Sequence, residues 1–182
     1  MTEQRSSLPI IASITKPEQL ETVMKSCVKR VNLMTGDILQ LSGIVRDLHQ
    51  AGKQVYVHIE MVAGIGRDNS AIQYLADAFA VDGIISTRTN TIAAARKAGM
   101  RSIQRVFAID TAAVETAIKM VAQSQPDEIE IMPGLMPRVI REIKQRIQVP
   151  LIVGGLIRTE AEIQEMLESG ADHISIGDTK FW

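Results

Sequence analysis

The stretch VPLIVGGLIRTEAEIQEML, Val149–Leu167, decides the fold. Its apolar run PLIV reads as a short buried strand, closed by Gly154 and Gly155. A helix start follows almost at once, with Thr159 and Glu162 at capping-box spacing. Strand, tight connection and helix form the repeating unit of a parallel sheet. Glycine weakens a strand interior, so two in succession serve either a turn or the close approach of something to the backbone. In the second case an anion, often a phosphate, rests on bare N–H groups.

The same unit recurs on both sides. Strands are predicted at Pro9–Ile14, Arg30–Met34, Gln54–Glu60, Gly83–Ser86, Ser102–Phe107, Glu128–Met132, Leu151–Val153 and His173–Ile176. Helical patterns lie between them near Pro17–Ser26, Leu39–Gln50, Asn69–Phe79, Thr91–Ala98, Thr111–Gln123, Arg138–Ile147 and Glu160–Ser169. Thr15 with Glu18 also fits a capping box, Asp110 can cap the helix after the fifth strand, and Gly52, Gly99 and Gly170 follow helix ends. Eight strands and seven intervening helices predict an α/β chain, residues 1–182, folded as one small (β/α)8 TIM-type barrel; a doubly wound open sheet is the alternative. Only GDTKFW follows the last strand, so the eighth helix is truncated or absent. One wall is left for the N-terminal segment or a second subunit of a homo-oligomer to cover.

Composition narrows the function classes. The chain has 182 residues, 46% hydrophobic and 23% charged, as in ordinary globular domains. It has no apolar run of spanning length, no signal-peptide pattern and one cysteine, Cys27, which cannot form an internal disulfide. These absences point to a cytoplasmic protein without membrane partners. With a net charge of -1, nucleic-acid binding requires a local basic patch.

Three strands alternate in a way a fully buried parallel strand does not. In VYVHIE, Tyr56, His58 and Glu60 share one face; in EIEIM, Glu128, Glu130 and Met132; in HISIGD, His173, Ser175 and Gly177. The apolar faces belong on the helices and the polar faces inside the barrel. Glu60 and Glu130, near strand ends, read as site residues, whereas Tyr56, Glu128 and His173 read as an internal hydrogen-bond network. Barrels commonly hold a phosphate between the loops after strands seven and eight. Gly154 and Gly155 occupy the first loop; Gly177 and Lys180 occupy the second, where Asp178 would repel a phosphate unless it caps the terminal turn. The fragment GIGRD lacks the spacing of a nucleotide fingerprint. No metal-type spacing links Asp37, His58 and Glu60, and no Walker loop or nucleophile elbow is present, so no metal, no cofactor and no catalytic residue is assigned.

The strings VNLMTGDI, VYVHIEMVAGIGRD, VDGIISTR, IQRVFAID, EIEIMPGLMP, PLIVGGLI and the terminal KFW, in this order and spacing, resemble the bacterial glycerol-3-phosphate-responsive antiterminators from about Pro9 to Trp182. The resemblance implies a barrel that is a regulator and not an enzyme. It would bind glycerol 3-phosphate and then the leader mRNA of glycerol-utilisation genes, so that transcription passes a terminator. SIGD at Ser175–Asp178 departs from the hydroxyl-rich phosphate loop expected there. For such a ligand the phosphate falls to the two glycine loops, and the hydroxyl end to Glu60, Arg105, Glu130 and Asn32. Arg105 can equally be a structural partner of Glu60 or Glu130. The competing class is a barrel enzyme acting on a small phosphorylated metabolite. It lacks a lysine at a strand end for Schiff-base chemistry.

An RNA partner needs concentrated positive charge. Gly83–Ile109 carries Arg88, Arg96, Lys97, Arg101 and Arg105 with no acidic residue, and the helix PRVIREIKQRI adds Arg138, Arg141 and Lys144 away from its apolar face. Arg96, Lys97, Arg138, Arg141 and Lys144 are the RNA-binding candidates that the resemblance singles out; without it they read as solvated helix surface. Few aromatics are available for base stacking, so RNA shape and phosphate contacts should dominate.

Overall fold

The computed structural model describes residues 8–182. Eight strands alternate with seven helices: β1 Ile10–Ile14, α1 Gln19–Lys25, β2 Arg30–Leu33, α2 Ile38–Gln50, β3 Gln54–His58, α3 Asn69–Phe79, β4 Gly83–Ser86, α4 Thr89–Lys97, β5 Arg101–Phe107, α5 Thr111–Ser124, β6 Glu128–Met132, α6 Pro137–Arg146, β7 Leu151–Gly154, α7 Glu160–Glu168 and β8 His173–Ile176. Every strand pairs in parallel with its sequence neighbours, and β8 returns to β1 with Ile10 opposite Ile174, closing the barrel. The eighth helix is reduced to a 3-10 turn at Thr179–Phe181. Trp182 packs against both helix-facing cores and donates its indole N–H to the Ile176 carbonyl at 3.0 Å. The sequence-based cover for the open wall, in so far as it involves residues 1–7, lies outside the described residues.

Two layers of side chains divide the work. Outward residues such as Val31, Leu33, Val55 and Val57 on one side, and Ile129, Ile131, Leu151 and Ile174 on the other, pack under the helices. Fully burying a side chain of this kind is worth about 1.5–3 kcal/mol, so the outer layer can stabilise the fold while the interior carries polar groups. Inside, Ile11, Tyr56, Ile85, Ile103 and Ile152 form an apolar plug. Polar groups lie at either end of it: the mouth, where the strands end, and the floor, where they begin.

Local chemistry explains most boundaries. Thr159 and Glu162 form the expected capping box, and Asp110 accepts a hydrogen bond from the Ala113 N–H. The Thr15–Glu18 box does not form. Gln19 Oε1 instead accepts from the N–H groups of Thr15 and Lys16, and α1 starts three residues later than such a box requires. Three aspartates precede alternate strands, and each caps the first free N–H of the strand before. Asp82 accepts from Val55 N, Asp127 from Ser102 N and Asp172 from Leu151 N, at 2.7–2.8 Å. A basic residue steadies each carboxylate: His49, Arg101 and Lys144 respectively.

Candidate functional site

The inward positions of each strand step from floor to mouth. On β5 they are Arg101, Ile103, Arg105 and Phe107; on β6 they are Glu128, Glu130 and Met132. At the mouth, Arg105 Nε donates to Glu130 Oε2 at 2.7 Å, with side chains 6% and 0% exposed. Arg105 Nη2 also reaches Met34 Sδ at 3.2 Å. Of the two sequence-level options for Arg105, Glu130 is therefore its partner. The other Glu130 oxygen, Oε1, is buried with no hydrogen-bond partner, and so are both amide atoms of Asn32.

A second polar group stands across β3 and β4. Ser86 Oγ donates to Glu60 Oε1 and accepts from the Arg88 N–H at the start of α4. His58 Nδ1 lies 3.2 Å from Glu60 Oε2, an ion-pair distance, but off the line of a hydrogen bond. Burial pushes the Glu60 carboxyl up, but the nearby His58 and the Ser86 hydroxyl outweigh it and hold the group below the usual carboxylate range. Glu60 lies just past the strand end that the sequence extended to it, because Met61 N turns back to the His58 carbonyl. No side chain of the Glu60 group bonds a side chain of the Arg105 group among the described residues; the Gln104 amide links them through the Ser86 and Arg105 carbonyls, at 3.3 and 3.5 Å. Leaving a buried polar group unpaired costs about 1–3 kcal/mol. Asn32, Glu130, Glu60 and His58 all carry such atoms.

The glycine loops are more differentiated than their sequence. A Cβ on Gly154 would stand 3.0 Å from the Ser175 carbonyl and 3.2 Å from Met132, so this glycine serves interior packing. Gly155 has room for a Cβ but a φ of +82°, and Leu156 follows at φ +66° although it is not glycine. At Leu156 such a backbone costs about 1–3 kcal/mol. The Gly155 carbonyl accepts from Gly134 N at 3.0 Å, so the N–H of the same peptide, on Leu156, points the opposite way. The Gly154–Ser175 register sets the Gly155 N–H toward the Ser175 carbonyl, whereas the N–H groups of Leu156, Gly177 and Asp178 have no backbone or side-chain acceptor among the described residues. Asp178 caps the terminal turn through Lys180 N. Lys180 Nζ bridges the two loops, 3.0 Å from the Arg158 carbonyl and 3.1 Å from Asp178 Oδ2.

The basic candidates do not sit together. Helices run from mouth to floor, so Arg96 and Lys97, in the last turn of α4, lie at the floor end, whereas Arg138 opens α6 at the mouth end. Helix α5 packs between α4 and α6. Arg96 donates to Gln125, Arg138 faces Glu142 at 3.7 Å, Arg141 donates to Ser169, and Lys144 pairs with Asp172. Sequence reasoning left out Ser86 and Met34 at the mouth and Arg30 at the floor. Ser86, a hydroxyl closing the strand GIIS, carried a readable signal; Met34 and Arg30 acquire meaning only from partners far along the chain.

A family model described as the glycerol-3-phosphate responsive antiterminator matches residues 10–182. An uncharacterized Escherichia coli K12 protein, YgcP, is 34% identical over 174 residues, covering 96% of this chain and 91% of its own. The crystal structure of a glycerol uptake operon antiterminator regulatory protein from Listeria monocytogenes superposes with a TM-score of 0.92 at 31% identity, over 97% of this chain and 95% of that one. A glycerol uptake operon antiterminator-related protein from Thermotoga maritima gives 0.85 at 31% identity, over 96% and 98%. No helix among the described residues is long and apolar enough to cross a membrane. None of their histidines, cysteines and carboxylates form a group of three placed to hold a metal ion.

Proposed function

The chain belongs to the glycerol-3-phosphate responsive antiterminator family, and from that premise we propose that it binds glycerol 3-phosphate in the barrel mouth and, so loaded, binds leader mRNA in the cytoplasm as a regulator without catalysis. The observation that carries the ligand assignment is the set of unpartnered buried polar atoms at the mouth. Glu130 Oε1, Glu60 Oε2 and the Asn32 carbonyl oxygen are acceptors awaiting hydroxyl donors, and the polyol end of glycerol 3-phosphate supplies two. Arg105 holds Glu130 in place for this contact. The phosphate takes the free N–H groups after β7 and β8, with Lys180 turning from the Arg158 carbonyl to the ligand. The RNA contacts fall to two separate basic stretches, Arg96 and Lys97 at the floor end of α4 and Arg138 and Arg141 on α6, which the RNA must span; Lys144, tied to Asp172, contributes least.

Thermal unfolding with glycerol 3-phosphate and with glycerol tests the ligand. At ~100 times its dissociation constant the phosphate ester adds ~2.7 kcal/mol by mass action, and glycerol adds nothing measurable. Equal shifts from both would remove the phosphate from the loops. Charge reversal at Arg96, Lys97, Arg138 and Arg141 should then weaken leader-RNA binding and flatten its salt dependence while leaving ligand affinity intact. An unchanged salt slope places the RNA elsewhere.

A further inference from the structure

The floor of the barrel holds a second polar site, which the reading above does not use. Arg30 opens β2 with its side chain 12% exposed. Its Nη1 donates to Glu128 Oε2 at 2.8 Å, and the guanidinium lies 4.1 Å over the Tyr56 ring. Nε and Nη2 are buried and have no hydrogen-bond partner among the described residues. These two N–H groups form one edge of the guanidinium fork, the edge that grips a carboxylate or phosphate through two parallel bonds. His173 Nδ1, also buried, has no partner among the described residues either.

Both residues line a cavity of about 330 Å³ whose apolar wall includes Leu8, Ile10 and Phe181, with Lys29 also on its lining. A second hollow of about 320 Å³ shares Arg30 and His173 and extends to Glu128 and Arg101. The carboxylates here are engaged already. Glu128 is shared between Arg30 and Arg101, Asp82 accepts from His49 and Val55 N, and Asp127 from Ser102 N. What remains unsatisfied is donor capacity on a cation, beside an apolar wall.

We propose that the floor is a second ligand site, for a small oxyanion carried on a short apolar chain. Arg30 Nε and Nη2 take the oxyanion and His173 stands beside it. Leu8, Ile10 and Phe181 take the apolar chain, and Lys29 supplies further positive charge.

The chain has three histidines, so the ring signals of His173 at the floor and His58 at the mouth can be followed separately by NMR. Titration with hexanoate, acetate and inorganic phosphate should move the His173 signals saturably at millimolar concentration and leave those of His58 in place. Hexanoate should bind more tightly than acetate, and Arg30→Gln should weaken hexanoate by about tenfold or more. Lys29→Glu, an exposed change that leaves the core alone, should weaken it several-fold and decides the matter if Arg30→Gln does not fold. The proposal is overturned if no probe moves His173, which makes the floor a water-filled hollow, or if affinity is unchanged in the variants. Equal binding of acetate and hexanoate removes the apolar chain from the assignment.

Discussion

Each end of the barrel interior holds a glutamate paired with arginine, one arginine at the mouth and two at the floor, and the two ends are completed in opposite ways. At the mouth, Arg105 meets Glu130, and the atom left over is a carboxylate oxygen, joined by the unpaired Asn32 amide and Glu60 Oε2. At the floor, Glu128 is shared by Arg30 and Arg101, and the atoms left over are guanidinium donors. The mouth is short of donors and suits a polyol; the floor is short of acceptors and suits an anion. A salt bridge alone says little about ligand chemistry. The side of the pair left unsatisfied says a great deal.

The strongest way to break this contrast is to break a pair. Arg105→Met leaves the Glu130 carboxylate buried without a counter-ion and should cost about 3–5 kcal/mol in urea unfolding. A loss under about 1 kcal/mol would mean that Glu130 is served from elsewhere and that the mouth is not a dry, acceptor-rich site. At the floor, Glu128→Gln removes the charge that two arginines share and should cost about 2 kcal/mol, because hydrogen bonds to charged groups are worth about 1.5–3 kcal/mol. Arg30 would then have still more free donor capacity, so hexanoate affinity should hold or rise in this variant while stability falls.

Asn32 sharpens the contrast in the other direction. Its amide is fully buried and bonded to nothing among the described residues, so the fold carries it at a cost. Asn32→Leu should leave stability unchanged or raise it by about 1 kcal/mol, and should abolish the thermal shift with glycerol 3-phosphate. Destabilisation of more than about 2 kcal/mol would show that the amide is satisfied within the fold and not kept for a ligand.

Much of this arrangement is legible in the sequence because it is periodic. The alternation in VYVHIE, EIEIM and HISIGD sends Glu130 and Glu128 inward, and the structure places them there. The repeated units around the glycines set eight strands and a truncated last helix. What stays hidden depends on distance along the chain. Arg30 reads as the first residue of a strand because Glu128, which explains it, is 98 positions away. Asp82, Asp127 and Asp172 stand in plain view before alternate strands, but their purpose lies in an N–H of the preceding strand. The Thr15–Glu18 spacing satisfies a local rule that the Gln19 side chain overrides. Gly154 and Gly155 look equivalent as letters and separate only when Ser175 and Met132 close on the first of them.

The smallest expected effect, and the one specific to the floor, is on pH. Burial pushes the His173 imidazole below its ordinary range; Glu128 and Asp172 pull it up and Arg30 pushes it further down. The unfolded chain therefore binds a proton more readily than the folded one. The resulting stability is fully present above about pH 6.5 and is lost as pH falls toward the lower folded value. Glu60 and Asp172, both held low, lose their contribution only as pH falls below the ordinary carboxylate value near pH 4, whereas the His173 decline begins near pH 6.5. Between about pH 7.5 and about pH 5.5 the urea midpoint of the native protein should fall, and that of His173→Gln should stay level. An oxyanion seated on Arg30 favours the protonated ring beside it, so saturating hexanoate should shrink the native protein's decline. A decline of the same size with and without hexanoate would separate His173 from the anion, and a decline that survives in His173→Gln would assign the titration to another group.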